Sequence, residues 1–285
     1  MNTSLFAALA AYVPRDRVEW LIRPEEKLPL DGVVLFADIS GFTPLTEALT
    51  HGLSSDQGGE EVTRVLNDLF TPLIAQIETF HGSVVKFGGD SLMVWYGRQS
   101  RMRRSTVIRR AITSAWWMQQ VMKNYGQVST PIGSIRLSMK VGLAYGAVKR
   151  FHLGQPEYGY QDILGGRTVN LVAEAEYRAE PGEIVLDAAT LAYLPNALTI
   201  AEWRGDFAVV DKLLRPAQPY PWSPLDWPPA LMETLISRLA AYVAPSIYQT
   251  LATGHTQVAQ LKPVVSLTLS HCTTVLMGSW HKYQK

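Results

Sequence analysis

The chain is poor in cysteine and has almost no net charge, and both features limit the compartment and the partners that we expect. It has one cysteine among 285 residues, Cys272, so no disulfide can form within it, and a single thiol is typical of a reducing compartment. Neither sign of charge is in excess, because 26 lysines and arginines oppose 25 aspartates and glutamates. The near-neutral total of +1 gives no reason to expect a nucleic acid or an anionic membrane as a partner.

Long apolar runs are missing as well. A membrane helix needs about 20 mainly apolar residues, and the nearest candidate, 264–280, is interrupted by Ser266, Thr268 and His271 among others. The start of the chain has no positive charge ahead of its apolar stretch, which a secretory signal peptide would have. We therefore expect a cytoplasmic protein with no membrane span.

The composition nevertheless supplies a core. Apolar residues make up 47% of the chain and charged residues 18%, which argues against disorder. At about 150 residues per domain, the length suggests two domains. Six prolines lie between 216 and 229, and they predict an extended linker.

The spacing of apolar residues predicts a mixed α+β fold. Helices are expected at 5–13, 60–80, 104–125, 168–179 and 231–253, and strands at 32–38, 83–87, 91–96, 135–143, 147–153, 158–164 and 183–187. The order is that of the ferredoxin-like βαββαβ plan, an α/β sandwich. We expect an N-terminal helix and strap over 1–30, the main domain over 31–200 and the Pro-rich linker over 201–230.

An internal repeat marks the C-terminal part. The segment Leu5-x-x-x-Leu-Ala-Ala-Tyr-Val13 recurs as Leu235-x-x-x-Leu-Ala-Ala-Tyr-Val243, and an apolar strand pattern follows each copy after about 20 residues. A chance match between two short helical segments is the alternative. We interpret the repeat as a duplication, so that 231–285 would hold a helix and the stub of a second, truncated domain.

Two segments carry candidate chemistry. In Phe36-Ala-Asp-Ile-Ser-Gly-Phe-Thr43, an aspartate ends a buried strand ahead of a helix start, whose backbone N–H groups favour an anion. In Lys86-Phe-Gly-Gly-Asp90, glycines place an aspartate on a tight turn. If the strands are neighbours, the two carboxylates can share divalent metals, Mg²⁺ or Mn²⁺. The alternative is that Asp38 caps a helix and Asp90 belongs to an ordinary turn.

Together these motifs resemble the class III adenylate/guanylate cyclase catalytic domain, and in particular the soluble adenylyl cyclase branch, whose two catalytic domains sit in tandem. Residues 165–170 and 176–185 resemble later segments of that family, so the resemblance covers about residues 5–190. It implies conversion of ATP to cyclic AMP and pyrophosphate, by attack of the 3′-oxygen on the α-phosphorus with two Mg²⁺ or Mn²⁺ ions. It also implies an active site shared between two domains.

The resemblance assigns roles by position. Asp38, the Ile39 carbonyl and Asp90 would be metal ligands, and Asp38, Asp90 and Asn170 the catalytic residues, with Asn170 positioning the ribose. The nucleotide-binding positions would be Ser40, Gly41, Phe42 and Thr43 for the phosphates, Lys86 for the purine, and Ile163 or Asp162 for selecting the base. Asp162 matches the base-selecting position of the family only with a one-residue insertion at Gly165-Gly166. This position therefore does not decide the nucleotide, so ATP is favoured by resemblance alone and GTP stays possible.

One departure from the family concerns catalysis. The position of the transition-state arginine, four residues after Asn170, holds Glu174, and an acidic group there repels the triphosphate. Arg178 lies one helical turn further on. The resemblance therefore implies a metal-donating half that needs a second cyclase domain or a homodimer partner. Two alternatives stay open, a catalytically silent nucleotide- or anion-binding regulatory half and a structural dimerisation domain.

Overall fold

The computed structural model describes residues 2–25, 28–52, 55–130, 133–155 and 158–254. The strand expected in the second repeat, at 264–270, lies outside these residues. The helices are α1 (Asn2–Ala10), α2 (Arg15–Ile22), α3 (Phe42–Gly52), α4 (Ser55–Thr79), α5 (Arg104–Tyr125), α6 (Arg167–Tyr177), α7 (Ala188–Leu191), α8 (Met232–Ala240) and α9 (Pro245–Ala252). The strands are β1 (Asp31–Ser40), β2 (Ser83–Gly88), β3 (Ser91–Gly97), β4 (Gln127–Thr130), β5 (Gly133–Arg136), β6 (Ser138–Ala147), β7 (Lys149–Leu153), β8 (Gln161–Gly165), β9 (Ile184–Asp187), β10 (Leu198–Arg204) and β11 (Phe207–Leu213).

Seven strands form the main sheet, in the order β10-β11-β9-β6-β1-β3-β2. Strand β1 lies inside it and pairs antiparallel with both β3 and β6, whereas β6 pairs parallel with β9. The predicted α+β fold is thus confirmed. Short hairpins β4–β5 and β7–β8 lie beside the main sheet.

The two faces of β1 pack against different helices. Its odd-numbered residues, such as Leu35 and Ile39, belong to the large core formed with α4 and α5. Its even-numbered residues Val34 and Phe36 face the other way and pack with Val172 of α6. Because side chains alternate along a strand, this pattern places residue 38 on the α6 face of the sheet.

Several element boundaries differ from the sequence prediction. The strand expected at 135–143 is two strands that separate at Leu137, because β5 turns away to pair with β4. The helix expected at 231–253 breaks before Pro245, which has no N–H to continue a helix but fits at the start of a new one. The N-terminal strap contains a second helix, α2. Pro72, by contrast, lies inside a continuous α4.

The main domain extends beyond the predicted boundary at residue 200, which falls inside β10. Strands β10 and β11 form a hairpin that adds two strands to the sheet, through pairing of β11 with β9. The linker therefore begins after Leu213. The chain then crosses the domain without regular structure, held by a 2.9 Å hydrogen bond from Trp222 Nε1 to the Gly82 carbonyl.

The repeat is visible in the structure as two matching pairs of helices, and α1 of the first pair packs against α8 of the second. Helices α8 and α9 begin and end 230 residues after α1 and α2, as Asn2 corresponds to Met232 and Arg15 to Pro245. The four helices, called here the helical unit, share one apolar cluster that includes Leu9 and Leu239. No helix in the described part of the chain is long and apolar enough to cross a membrane.

Candidate active site

The first predicted aspartate lies near the end of β1, on the α6 face. Asp38 is opposite Ser91 of β3 on one side and Lys140 of β6 on the other. Its side chain is 23% exposed. Helix α3 begins four residues later, so Asp38 is a strand residue, and the alternative that it caps this helix is wrong.

The hairpin β2–β3 brings the second aspartate beside the first. Gly89 and Asp90 form its two-residue turn, and Asp90 accepts a 3.1 Å hydrogen bond at its carbonyl from the Ile39 N–H. Gly89 has φ +73° and open space around its Cα, so glycine is needed there for conformation rather than for packing. A positive φ at the first turn position is typical of a type II′ hairpin turn.

A second glycine shapes the loop after β1. Gly41 has φ +94°, and a Cβ on it would lie 2.6 Å from the Arg136 carbonyl oxygen, so both conformation and space require glycine. Helix α3 starts at the next residue, Phe42. The first N–H groups of a helix have no partner within it. Because Pro44 has no N–H, the amides at this helix start that can bind an anion are those of residues 41–43.

The charges around the Asp38 carboxylate favour a bound cation. Burial, with further contributions from the charges of Glu176 and Asp90, raises the pKa of Asp38 to about 6, against the opposing charge of Lys140. The Lys140 Nζ lies 4.0 Å from Asp38 Oδ2 and 3.0 Å from Glu176 Oε1. A divalent cation would favour the charged carboxylate and offset this repulsion.

The site offers few candidate metal ligands, and all of them are hard oxygen donors. Asp38, the Ile39 carbonyl and Asp90 offer oxygen ligands only, which suits Mg²⁺ or Mn²⁺. No group of three or more histidine, cysteine, aspartate or glutamate side chains is placed to hold a metal within the residues described above. Ions held here would need further oxygens, from water or from a substrate triphosphate.

The predicted purine positions lie in different environments. Lys86 is exposed on β2, opposite Met93. Ile163 is half-buried in the β7–β8 hairpin, opposite Phe151. Asp162 does not face a ligand, because its side chain is 1% exposed and bonded to two arginines.

Asp162 belongs to an ion cluster made of Asp16, Arg17, Arg150 and Asp162. Arg17 Nε donates to it at 2.8 Å, and Arg150 bridges it to Asp16. Burial alone would raise the pKa of Asp162, but the hydrogen bonds from Arg150 and Arg17 hold that pKa below its usual range. The cluster ties α2 to the β7–β8 hairpin, so the assignment of Asp162 to base selection is corrected to a structural role.

The structure does not bring Asn170 to the aspartates of its own chain. Helix α6 packs on the sheet through buried residues such as Val172 and Glu176, whereas Asn170 and Glu174 are exposed on its other side. Arg178 is paired with Glu174 at 2.9 Å. The face that carries Asn170 is therefore available to another domain.

Sequence reasoning missed two residues of this site, Lys140 and Glu176. A charged residue among the apolar residues 139–143 of a predicted strand was a usable signal for Lys140. Glu176 is an acidic residue on the buried side of α6, where the residue as a whole is 8% exposed. Such a residue needs a cationic partner, but the sequence did not identify it.

The fold is that of a nucleotidyl cyclase catalytic domain. The model of the family described as Adenylate and Guanylate cyclase catalytic domain matches residues 29–214, more than half of the chain. The chain belongs to this family, the class III nucleotidyl cyclases, as its motifs predicted.

Relatives include both kinds of cyclase. Human adenylate cyclase type 10 is 26% identical over 182 residues, 62% of this chain and 11% of the relative. The chain thus spans about a tenth of the length of the curated relatives it matches. The adenylyl cyclase CyaB from P. aeruginosa superposes with a TM-score of 0.53 at 23% identity, over 65% of this chain and 95% of that one.

A guanylate cyclase domain is equally similar in structure. The domain of RhGC from Catenaria anguillulae, solved in complex with GTP, gives a TM-score of 0.52 at 20% identity, over 66% of this chain and all of that one. At such identities the two structures establish the fold alone, and they include both base specificities.

Proposed function

We propose that this domain is the metal-donating half of a cyclase that converts ATP to cyclic AMP and pyrophosphate. The observation that carries the proposal is that Asp38 and Asp90 lie close enough for their charges to interact, at the end of the sheet where α3 begins. ATP is preferred to GTP because the curated relatives are adenylate cyclases. The fold neighbours do not favour either base.

In this proposal Asp38, the Ile39 carbonyl and Asp90 hold two Mg²⁺ or Mn²⁺ ions. When bound, such ions make the 3′-hydroxyl of the ribose a better nucleophile and neutralise charge on the leaving pyrophosphate. The amides of residues 41–43 bind the β- and γ-phosphates, as helix N-termini bind anions. The Ser40 amide would join them, as the family resemblance implies.

The reaction is an internal displacement. The 3′-oxygen forms a bond to the α-phosphorus, its proton leaves, and the bond from the α-phosphorus to the bridging oxygen of pyrophosphate breaks. The role of the protein is to hold the triphosphate and the ribose in line and to stabilise the charge that develops. Lys86 is exposed beside the hairpin, where it is free to contact a purine held by a partner domain.

The other half of the site would come from a second cyclase domain or from a second copy of the chain. Glu174 stands where a cation is needed, and it holds the nearest arginine, Arg178, in an ion pair. The repeated helix pair α8 and α9 supports a second domain that begins near residue 231. Asn170, exposed on α6, would then face the metal-binding half of the partner.

A second candidate function is a regulatory half that binds a nucleotide or an anion without turnover. The Glu174–Arg178 pair favours it, because the pair leaves no free cation at the transition-state position of α6. In this case the isolated chain binds a metal–nucleotide complex but makes no product.

The test is cyclic nucleotide production from ATP and from GTP with Mn²⁺, over a hundredfold range of protein concentration. Product that rises more than linearly and disappears in Asp38→Asn means an active homodimer, and the preferred nucleotide identifies the base. Binding without product supports the half-site. If the protein shows no binding and makes no product, the cyclase proposal is refuted, and a dimerisation domain is the alternative that is left. Asp211→Asn, an exposed aspartate of β11, is the matched control.

A further inference from the structure

The candidate metal site has a cation of its own. Lys140 is the cross-strand neighbour of Asp38, so both side chains leave the sheet on the α6 face. Its ammonium group lies between two carboxylates, 3.0 Å from Glu176 and 4.0 Å from Asp38. All three side chains are largely buried, with exposures of 24% for Lys140, 23% for Asp38 and 10% for Glu176.

The contact depends on how closely α6 approaches β6. Gly142 lies on the same strand and face as Lys140, two residues further on. A Cβ at Gly142 would lie 2.5 Å from the Glu176 nitrogen and 2.5 Å from the Val172 carbonyl oxygen, so α6 crosses β6 directly over this glycine. The crossing lets Glu176 reach Lys140 from above the sheet.

We propose that Glu176 is a positioning residue that holds the Lys140 ammonium group away from Asp38 and thereby sets the divalent-metal affinity of the site. The inference deepens the proposed function and rests on it. Glu176 binds no metal itself in this account. It acts through Lys140.

The physical reason is competition between cations. An ammonium group and a divalent ion both seek the Asp38 carboxylate, and they repel each other in a partly buried site. With Glu176 present, Lys140 has a closer carboxylate partner, and the pair is neutral as seen from the metal. Without Glu176, Asp38 is the one remaining ion-pair partner of Lys140 among the residues that the structure describes, and a metal must displace the ammonium group from it.

Removal of both charges gives a different result from removal of one. Glu176→Gln keeps the size of the side chain but removes the carboxylate nearest to Lys140. Lys140 then competes for Asp38, so Mn²⁺ should bind roughly tenfold more weakly. Glu176→Gln with Lys140→Met removes the neutral pair as a whole, so affinity should return to within about threefold of wild type. A purely structural role predicts that the double variant binds no better than the single one.

The experiment is a titration of Mn²⁺ against the full chain with 3′-deoxy-ATP, which lacks the attacking hydroxyl. The signal of free Mn²⁺ in electron paramagnetic resonance reports the total bound fraction, and the same titration without protein gives the part that the triphosphate alone binds. Wild type, Glu176→Gln, the double variant and Asp38→Asn are compared, with the melting temperature of each. Asp211→Asn, on the exposed side of β11, is the control and should bind as wild type does.

Weakened binding in Glu176→Gln, recovered in the double variant, supports the inference. Equal Mn²⁺ affinity in wild type and Glu176→Gln overturns the inference about Glu176. It leaves the proposed function in place, provided that Asp38→Asn still abolishes binding. A double variant that binds as weakly as the single one overturns the inference too. If wild type binds no Mn²⁺, or binds it independently of Asp38, the proposed function fails and the inference with it.

Discussion

The ion cluster around Asp162 provides a test of how this fold is held together. Asp162→Asn keeps the shape of the side chain but removes the charge that faces Arg17 and Arg150, whose side chains are 7% and 3% exposed. Only Asp16 would remain to balance two buried guanidinium groups. Removing one partner of a buried ion pair typically costs about 3–5 kcal/mol.

We expect the free energy of unfolding to fall by about 3 kcal/mol in Asp162→Asn, because Asp16 keeps part of the compensation. The assay is urea unfolding at pH 7, followed by tryptophan fluorescence, with Asp211→Asn as the control. A loss below about 0.5 kcal/mol, the usual range for surface changes, would refute the reasoning.

The pH dependence of the same variant gives an independent check. The pKa of Asp162 is lowered in the folded state, so its charge stabilises the fold above its unfolded-state pKa of about 4. That contribution is lost as the pH falls through the lower folded-state value. The stability difference between wild type and Asp162→Asn should therefore shrink below about pH 4, and a constant difference would contradict this account.

Three further predictions follow from single contacts. Asp38→Asn should stabilise the metal-free protein by about 1–2 kcal/mol at pH 8 and by about half as much at pH 5, because burial raises the pKa of this group to about 6; equal melting temperatures of variant and wild type at pH 8 would contradict it. Gly142→Ala should cost about 2–3 kcal/mol in urea unfolding, because its Cβ collides with the backbone of Glu176; an unchanged midpoint would mean that α6 can shift. Trp222→Phe should lose about 1 kcal/mol with the hydrogen bond to Gly82 and speed proteolysis of the linker; an unchanged cleavage rate would show that this bond does not hold it.

Much of the fold follows from local patterns. The predicted limits of helix α5 agree with the structure, because its apolar residues recur at helical spacing without a breaker. The hairpin around Gly89 was predictable because glycines between two apolar runs favour a tight turn. Strand β10 has no buried residue, so its sequence lacks the pattern of a core strand. Strand β11 begins with the buried apolar run 207–210, which was a usable signal that the prediction missed.

The site was predictable in part for the same reason. Asp38 and Asp90 stand in short contiguous motifs, and the sequence predicted that they share metals if their strands were neighbours. The structure supplies that condition through the pairing of β1 with β3. Asp162 was misassigned because its partners Arg17 and Arg150 lie 145 and 12 residues away, and no local pattern reveals that contact. Glu176 meets Lys140 only through the crossing of α6 over β6, which is a tertiary feature.

If this chain carries the metal-binding half of a cyclase site, it should bind a nucleotide in a way that depends on a divalent metal and on both aspartates. Calorimetric titration of 3′-deoxy-ATP with Mn²⁺ into wild type, Asp38→Asn, Asp90→Asn and Asp211→Asn tests it most directly. We predict Mn²⁺-dependent binding by wild type and Asp211→Asn, and at least tenfold weaker binding by Asp38→Asn and Asp90→Asn, with folding retained. Binding of equal strength in all four proteins would contradict this expectation.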